Sequence, residues 1–83
     1  MNIRVHVRIV PRSGLLDPQG QAIEHALAAL GFTGAGEVRV GKAIDLRIDA
    51  ATPEAAETRA REMCERLLAN PVTEDFLIEA ERP

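Results

Sequence analysis

The 83-residue sequence has one cysteine, Cys64, no tryptophan, no tyrosine and only two phenylalanines, Phe32 and Phe76. A single cysteine excludes an intrachain disulfide. Cys64, His6 and His25 show no C-x-x-C or H-x-x-x-H spacing, so no transition-metal centre is expected. No EF-hand-like loop is present, although a carboxylate-only site for a hard cation stays open. No apolar run approaches the roughly 20 residues that a membrane helix needs. Met1-Asn2-Ile3-Arg4 opens no signal-peptide apolar region. The expectation is a cytoplasmic protein with no membrane partner. Ten basic residues against 13 acidic ones give a net charge of -3. That balance, with so few aromatics to stack on bases, argues against a nucleic-acid partner.

The same shortages bear on stability. A chain of this length forms one domain, residues 1–83, and buries only roughly 60–65% of its unfolded surface. Its hydrophobic fraction is 46%, but 13 of those residues are Ala. Small chains make up such a deficit with disulfides, a metal or a partner chain. The first two are disfavoured here, so self-association is expected.

Hydrophobic periodicity outlines the elements. Ile3, Val5, Val7 and Ile9 alternate with Arg4, His6 and Arg8, the period-2 pattern of a half-buried strand over 3–10. Residues 11–16 read as a loop. Asp17 then suits an N-cap and Pro18 the first helical position. Ile23, Ala26, Leu27 and Leu30 form the stripe of an amphipathic helix. Gly31 fits the left-handed position after it, with Phe32 folding back on Leu27 as in a Schellman motif. Thr33-Gly34-Ala35-Gly36 is a turn, Glu37–Val40 a short strand and Gly41-Lys42 a hairpin turn. Residues 43–49 alternate again, with Ile44, Leu46 and Ile48 on one face and Asp45, Arg47 and Asp49 on the other. Thr52-Pro53-Glu54 repeats a cap signature. The second helix runs to about Ala69, with Ala56, Ala60, Met63 and Leu67 inward and Cys64 and Leu68 widening the stripe. Asn70-Pro71 stops it. A last strand covers about 75–81, with Phe76, Ile78 and Ala80 inward.

The order βαββαβ, with two one-sided helices, predicts an α+β fold. The specific expectation is a two-layer ferredoxin-like sandwich with a four-stranded antiparallel sheet in the order 4-1-3-2. In that order Arg4, His6 and Arg8 meet Asp45, Asp49, Glu79 and Glu81 across neighbouring strands. Whether the last strand pairs within its own chain or with a second copy is left open.

No catalytic constellation emerges. There is no phosphate loop of the G-x-x-x-x-G-K-[ST] type, and Gly34-Ala35-Gly36 precedes a strand rather than a helix. His6 reads as a charge-balancing residue on a polar face, with a functional role as the alternative. His25 reads as solvated. Cys64 reads as a small core hydrophobe rather than a reactive thiol. Two features fit less simply. Leu15 and Leu16 place large apolar side chains in a loop, either covering the end of the core or meeting another chain. Gly20 in the first turn of a helix costs about 1 kcal/mol against Ala; it implies close approach of a backbone or ligand, or sequence drift.

Three segments carry a resemblance: Leu16-Asp17-Pro18-Gln19-Gly20, Val38-Arg39-Val40-Gly41-Lys42, and Met63 through Phe76. In this order they closely resemble the PurS family, the small subunit of multi-subunit phosphoribosylformylglycinamidine synthase in purine biosynthesis. Departures are minor: Arg12 stands where Lys is common, and Phe76 where a hydroxylated aromatic is common. The resemblance implies a subunit without its own active site. It would act as a dimer with possible strand exchange, bridging a glutaminase subunit and a large synthetase subunit and assisting ammonia transfer. No cofactor is implied on this chain; ATP and Mg²⁺ belong to the synthetase. Leu15, Leu16, Asp17, Gln19, Gly20, Arg39, Gly41, Lys42, Asn70 and Glu74 are the implied contact or loop-shaping positions. Asp17, Gly41 and Asn70 have equally good readings as cap, turn and helix stop. Two other functions share the fold: a regulatory ligand-binding dimer, and an acylphosphatase-like hydrolase. The second lacks the glycine-rich anion cradle after the first strand.

Overall fold

A computed structural model of the chain describes residues 1–14 and 16–82. Strand β1 is Asn2–Pro11, helix α1 Pro18–Ala29, strand β2 Lys42–Asp49, helix α2 Pro53–Met63 and strand β3 Glu74–Ala80. The three strands form one antiparallel sheet in the order β2-β1-β3. This is the expected α+β fold without the fourth strand. The alternation of β1 decides which face is buried: Ile3, Val5, Val7 and Ile9 are all buried, beneath Ala56, Ala60 and Cys64 of the α2 segment. Ile48 and Ala80 complete the core from the outer strands.

The second helix departs from a plain α-helix at its end. Cys64–Leu68 form a π-helical turn closed by the Ala69 N–H donating to the Cys64 carbonyl at 3.0 Å. Inserting one residue into a turn shifts the phase of everything after it. Leu67, expected inward, therefore points out and is 82% exposed, while Ala69 is buried. Thr52 caps α2 through Ala55 N–H at 3.1 Å, as its cap signature predicts.

The largest departure concerns α1 and the segment after it. Helix α1 begins as predicted, with Pro18 in its first turn and the Asp17 carboxylate accepting from Gly20 N–H at 3.0 Å. It also ends as predicted: Phe32 N–H donates to the Leu27 carbonyl at 2.9 Å and Gly31 N–H to the Ala28 carbonyl at 3.1 Å, with Gly31 at φ 97°. Yet α1 contributes no residue to the core. Its apolar stripe stays open, with Ile23 44% and Leu30 74% exposed.

Residues 37–40 are not a strand of the sheet, and Gly41-Lys42 is not a hairpin turn. Tight two-residue hairpins need a positive φ. The glycines with positive φ are Gly14 and Gly31, not Gly41. Gly41 serves a different need: a Cβ there would lie 2.3 Å from the Ile9 carbonyl oxygen. The chain thus passes flush against β1 and enters β2 without reversing. Two donors of this segment bond to α1 and its cap instead: Val40 N–H to Asp17 Oδ2 at 2.9 Å and Val38 N–H to Glu24 Oε1 at 3.3 Å. Helix α1 and residues 37–40 together form an arm. The molecule extends over 50 × 28 × 14 Å, with a radius of gyration of 16.1 Å. A compact chain of this length would have about 12 Å.

Candidate functional site

The positions singled out by sequence collect around the C-terminal end of β1. On one side, Gly41 packs on the Ile9 backbone and leads into Lys42. On the other, Pro11 pairs with Glu74 of β3, and Arg12 N–H donates to the Thr73 carbonyl at 2.9 Å. Topology brings these segments together although they lie far apart in the chain.

At the root of the arm, Asp17 is the central group. One carboxylate accepts from two backbone N–H groups, Gly20 and Val40, and so joins the helix start to the returning segment. These hydrogen bonds, first that of Gly20 and then that of Val40, with the Arg39 charge adding less, hold the Asp17 carboxyl below its ordinary range. Gly20 is buried because Val38 runs directly over it: a Cβ would sit 2.2 Å from the Val38 carbonyl oxygen. Close approach of a backbone is therefore the reason for this glycine. Gln19, Arg39 and Lys42 are exposed around the root, and Leu16 is 75% exposed, so Leu16 does not cover the core. Leu15 lies outside the described residues. Ser13, Asp17, Glu24 and Arg39 line an open groove of about 430 Å³.

The Asp17 knot is expected to open in acid. A carboxylate with a depressed pKa in the folded chain stabilises above its unfolded value and loses that effect as pH falls through the folded one. Amide exchange at Gly20 and Val40 is expected to lose protection below the usual carboxylate range, while Val5 and Val7 amides in the sheet stay protected. Asp17→Asn should give Val40, after correction for intrinsic exchange, the low protection of the acid form already at neutral pH.

Beside β3, the chain between α2 and the strand is a self-bonded turn. Asn70 N–H donates to Glu74 Oε1 at 2.7 Å, Val72 N–H to Asn70 Oδ1 at 3.0 Å and Glu74 N–H to the Asn70 carbonyl at 2.8 Å. Arg12 braces it, donating to the Pro71 carbonyl at 2.6 Å and pairing with Asp75 at 3.3 Å. Asn70 and Glu74 thus spend their polar atoms shaping this loop. The surface they shape carries exposed Val72, and Leu67 is exposed on the turn that precedes it.

Groups able to do chemistry are few. Cys64 is fully buried, and burial pushes its thiol pKa up, away from a reactive thiolate. His6 has both ring nitrogens occupied: Nδ1 by Asp45 at 2.6 Å and Nε2 by Glu81 at 2.7 Å. The two carboxylates lie on opposite sides of the ring, so the three side chains do not converge on one cation. Among the described residues no group of three His, Cys, Asp or Glu is placed to hold a metal. Periodicity did not indicate Glu24, which bonds Val38, or Arg82, which pairs with Glu54 at 2.6 Å. Neither sits in a motif; only the folded chain brings them to their partners.

Helix α1 adds no residue to the core, and among the described residues no set of reactive side chains converges. The family profile of PurS, phosphoribosylformylglycinamidine (FGAM) synthase, matches residues 4–82. The chain belongs to the PurS family. It is 44% identical over 78 residues to the phosphoribosylformylglycinamidine synthase subunit PurS of Mycobacterium leprae, covering 94% of this chain and 95% of that one. The fold matches the crystal structure of PurS from Methanocaldococcus jannaschii, a subunit of formylglycinamide ribonucleotide amidotransferase in purine biosynthesis. The TM-score is 0.85 at 38% identity, over 100% of this chain and 99% of that one. It also matches a chain of PurLQS from Thermotoga maritima, with a TM-score of 0.88 at 30% identity over 98% and 99% of the two chains. Membership in this family accounts for the missing chemistry: the relatives are named as subunits of a synthase, not as complete enzymes.

Proposed function

We propose that this chain is the non-catalytic bridging subunit of an FGAM synthase complex in the cytoplasm. It joins a glutaminase subunit to an ATP- and Mg²⁺-dependent synthetase subunit. The complex converts formylglycinamide ribonucleotide and glutamine to the amidine, and this subunit assists the transfer of ammonia between the two partners. Ammonia in bulk water becomes ammonium and loses its nucleophilicity, so packing that excludes water along the transfer route is what such a bridge contributes.

The observation that carries this reading is the arm. Helix α1 exposes Ile23 and Leu30, the helix-following Phe32 is 60% exposed, and residues 38–40 have no strand partner in their own sheet. The outer edge of β2 is open, and open edges are places where another chain's strand can add. We place residues 38–40 of one copy against the β2 edge of a second, completing a four-stranded sheet by exchange, with α1 packed on the partner. The resulting dimer is the unit that meets the other subunits.

Reconstitution tests the bridging role. With purified glutaminase and synthetase subunits, omitting this chain is expected to abolish glutamine-dependent amidine formation and leave ammonia-dependent formation intact. Unchanged glutamine-dependent activity without the chain would refute the proposal.

A further inference from the structure

The solvated face of the sheet holds a group that bridging does not use. His6 stands on the middle strand, with Asp45 of β2 opposite on one side and Glu79 of β3 opposite on the other. Its Nδ1 lies 2.6 Å from Asp45 Oδ1 and its Nε2 lies 2.7 Å from Glu81 Oε2, just past the end of β3. A neutral imidazole has one N–H and one lone pair. Two carboxylate contacts this short are satisfied together only when both ring nitrogens carry protons, as charge-assisted hydrogen bonds. We propose that His6 is a proton-operated clasp, in which the doubly protonated ring ties β2 and the end of β3 to β1 and loss of one proton releases one of them.

The surroundings favour the charged ring. Asp45, Glu79 and Glu81 face it from the two flanking strands and their ends. Arg4 and Arg8 lie on its own strand, and Arg47 stands opposite Arg4 on β2; these three oppose the charge. The direct hydrogen bonds outweigh them: those of Asp45 and then Glu81 raise the His6 pKa above its ordinary value. The clasp sits where packing gives little help. β2 and β3 are both edge strands, and this face of the sheet is open to solvent. β2 is also the strand from which the arm departs through Gly41. On the opposite side of the chain end, Arg82 pairs with Glu54 at 2.6 Å and lies 3.8 Å from Glu57 of α2. Residues 81–82 are therefore fastened twice, once through His6 and once through the Arg82–Glu54 pair, in which each partner holds the other in its charged form.

The sign follows from the raised pKa. The contribution is complete below the unfolded value of about 6.5 and is lost as pH rises through the higher folded value. The test is a pH titration of the His6 ring by nitrogen NMR in the full chain, paired with amide exchange at Leu46, which stands opposite Val5 in the β1–β2 ladder, and at Glu81, whose N–H donates to the Arg4 carbonyl at 2.9 Å. The His6 midpoint is expected above about 6.5, and in Asp45→Asn with Glu81→Gln it should fall back towards that value. Opening constants at the two amides, corrected for intrinsic exchange, should climb with pH across the midpoint by up to about tenfold per unit, the limit for one proton. In His6→Gln they should be flat. The proposal is overturned if the double variant titrates with the wild-type midpoint. Wild-type opening constants that stay flat across the midpoint would overturn it as well. The double variant keeps side-chain shape, so the first comparison stands even if His6→Gln folds poorly.

Discussion

Gly41→Ala is expected to lower the melting temperature of the chain by roughly 10 °C, corresponding to about 2 kcal/mol at 4–8 °C per kcal/mol for a domain of this size. The added methyl would start 2.3 Å from the Ile9 carbonyl oxygen and 3.0 Å from a Val10 side-chain carbon. The first of these is backbone of the central strand and cannot swing aside. Either β1 shifts, disturbing Ile9 in the core, or residues 38–41 lift away and the arm changes direction. Alanine at an open glycine of the same chain makes the control. A Cβ at Gly34 meets nothing within 4 Å, so Gly34→Ala should move the melting temperature little. Thermal unfolding of the two variants by circular dichroism checks the contrast. Equal shifts would mean that the close pass of the chain over β1 is not what requires glycine.

The second large effect is expected from Ile23→Asp combined with Leu30→Asp. Both side chains lie on the open stripe of α1 and neither belongs to the core. A charge at each position costs the isolated fold little, because the side chains are already exposed. In an exchanged dimer the same stripe is buried against the partner, and two buried unpaired carboxylates are prohibitive. Sedimentation should therefore show a monomer where the unaltered chain is expected to run as a dimer, with the far-ultraviolet spectrum retained. In the reconstituted complex, glutamine-dependent activity should fall by at least about tenfold, equivalent to 1.4 kcal/mol of lost transition-state stabilisation, while ammonia-dependent activity holds. A dimer that persists in this variant would remove the arm from the interface. Loss of helical signal would instead mean that the stripe supports α1 within its own chain.

Local patterns were legible wherever their cause is local. The alternation in β1, the caps at Asp17 and Thr52 and the Schellman end at Gly31 all depend on residues a few positions apart, and all are present. That the polar face of β1 meets acids of both neighbours was also readable, once the strand order followed from helices of one-sided polarity; it holds at His6, opposite Asp45 and Glu79, but not at Arg8, opposite Ala43 and Leu77. The same reasoning placed Arg4 among acids. The register sets it opposite Arg47, although Glu81 N–H bonds its carbonyl. A period of two assigns a face, but the register decides the partner.

Where the expectation failed, a competing local structure was chemically as plausible. Val-Arg-Val-Gly-Lys is as good an approach to a hairpin as to an extended pass, and only the contact between Gly41 and Ile9 separates the two. The π-turn at Cys64–Leu68 has no periodic signature, because one inserted residue is visible only as a change of phase, and it turned Leu67 outward. For the loop-shaping positions, sequence narrowed the choice to residue types that cap and turn. The structure showed which backbone groups they serve: Gly20 and Val40 for Asp17, and Val72 for Asn70.

The sequence by itself determined the class of protein and its economy. An aromatic-poor chain with one cysteine lacks the means to build a large core or an intrachain disulfide, and its motifs mark it as a PurS-like subunit. These are properties of composition and of short-range order, which need no folded context. Only the tertiary structure decided where α1 goes. An amphipathic stripe says that a helix has something to cover but not whose surface it covers, because the hydrophobic effect is non-directional. The direction is set by steric contact at two glycines and by one carboxylate that ties the helix start to the segment returning after it, and these send the arm away from its own sheet.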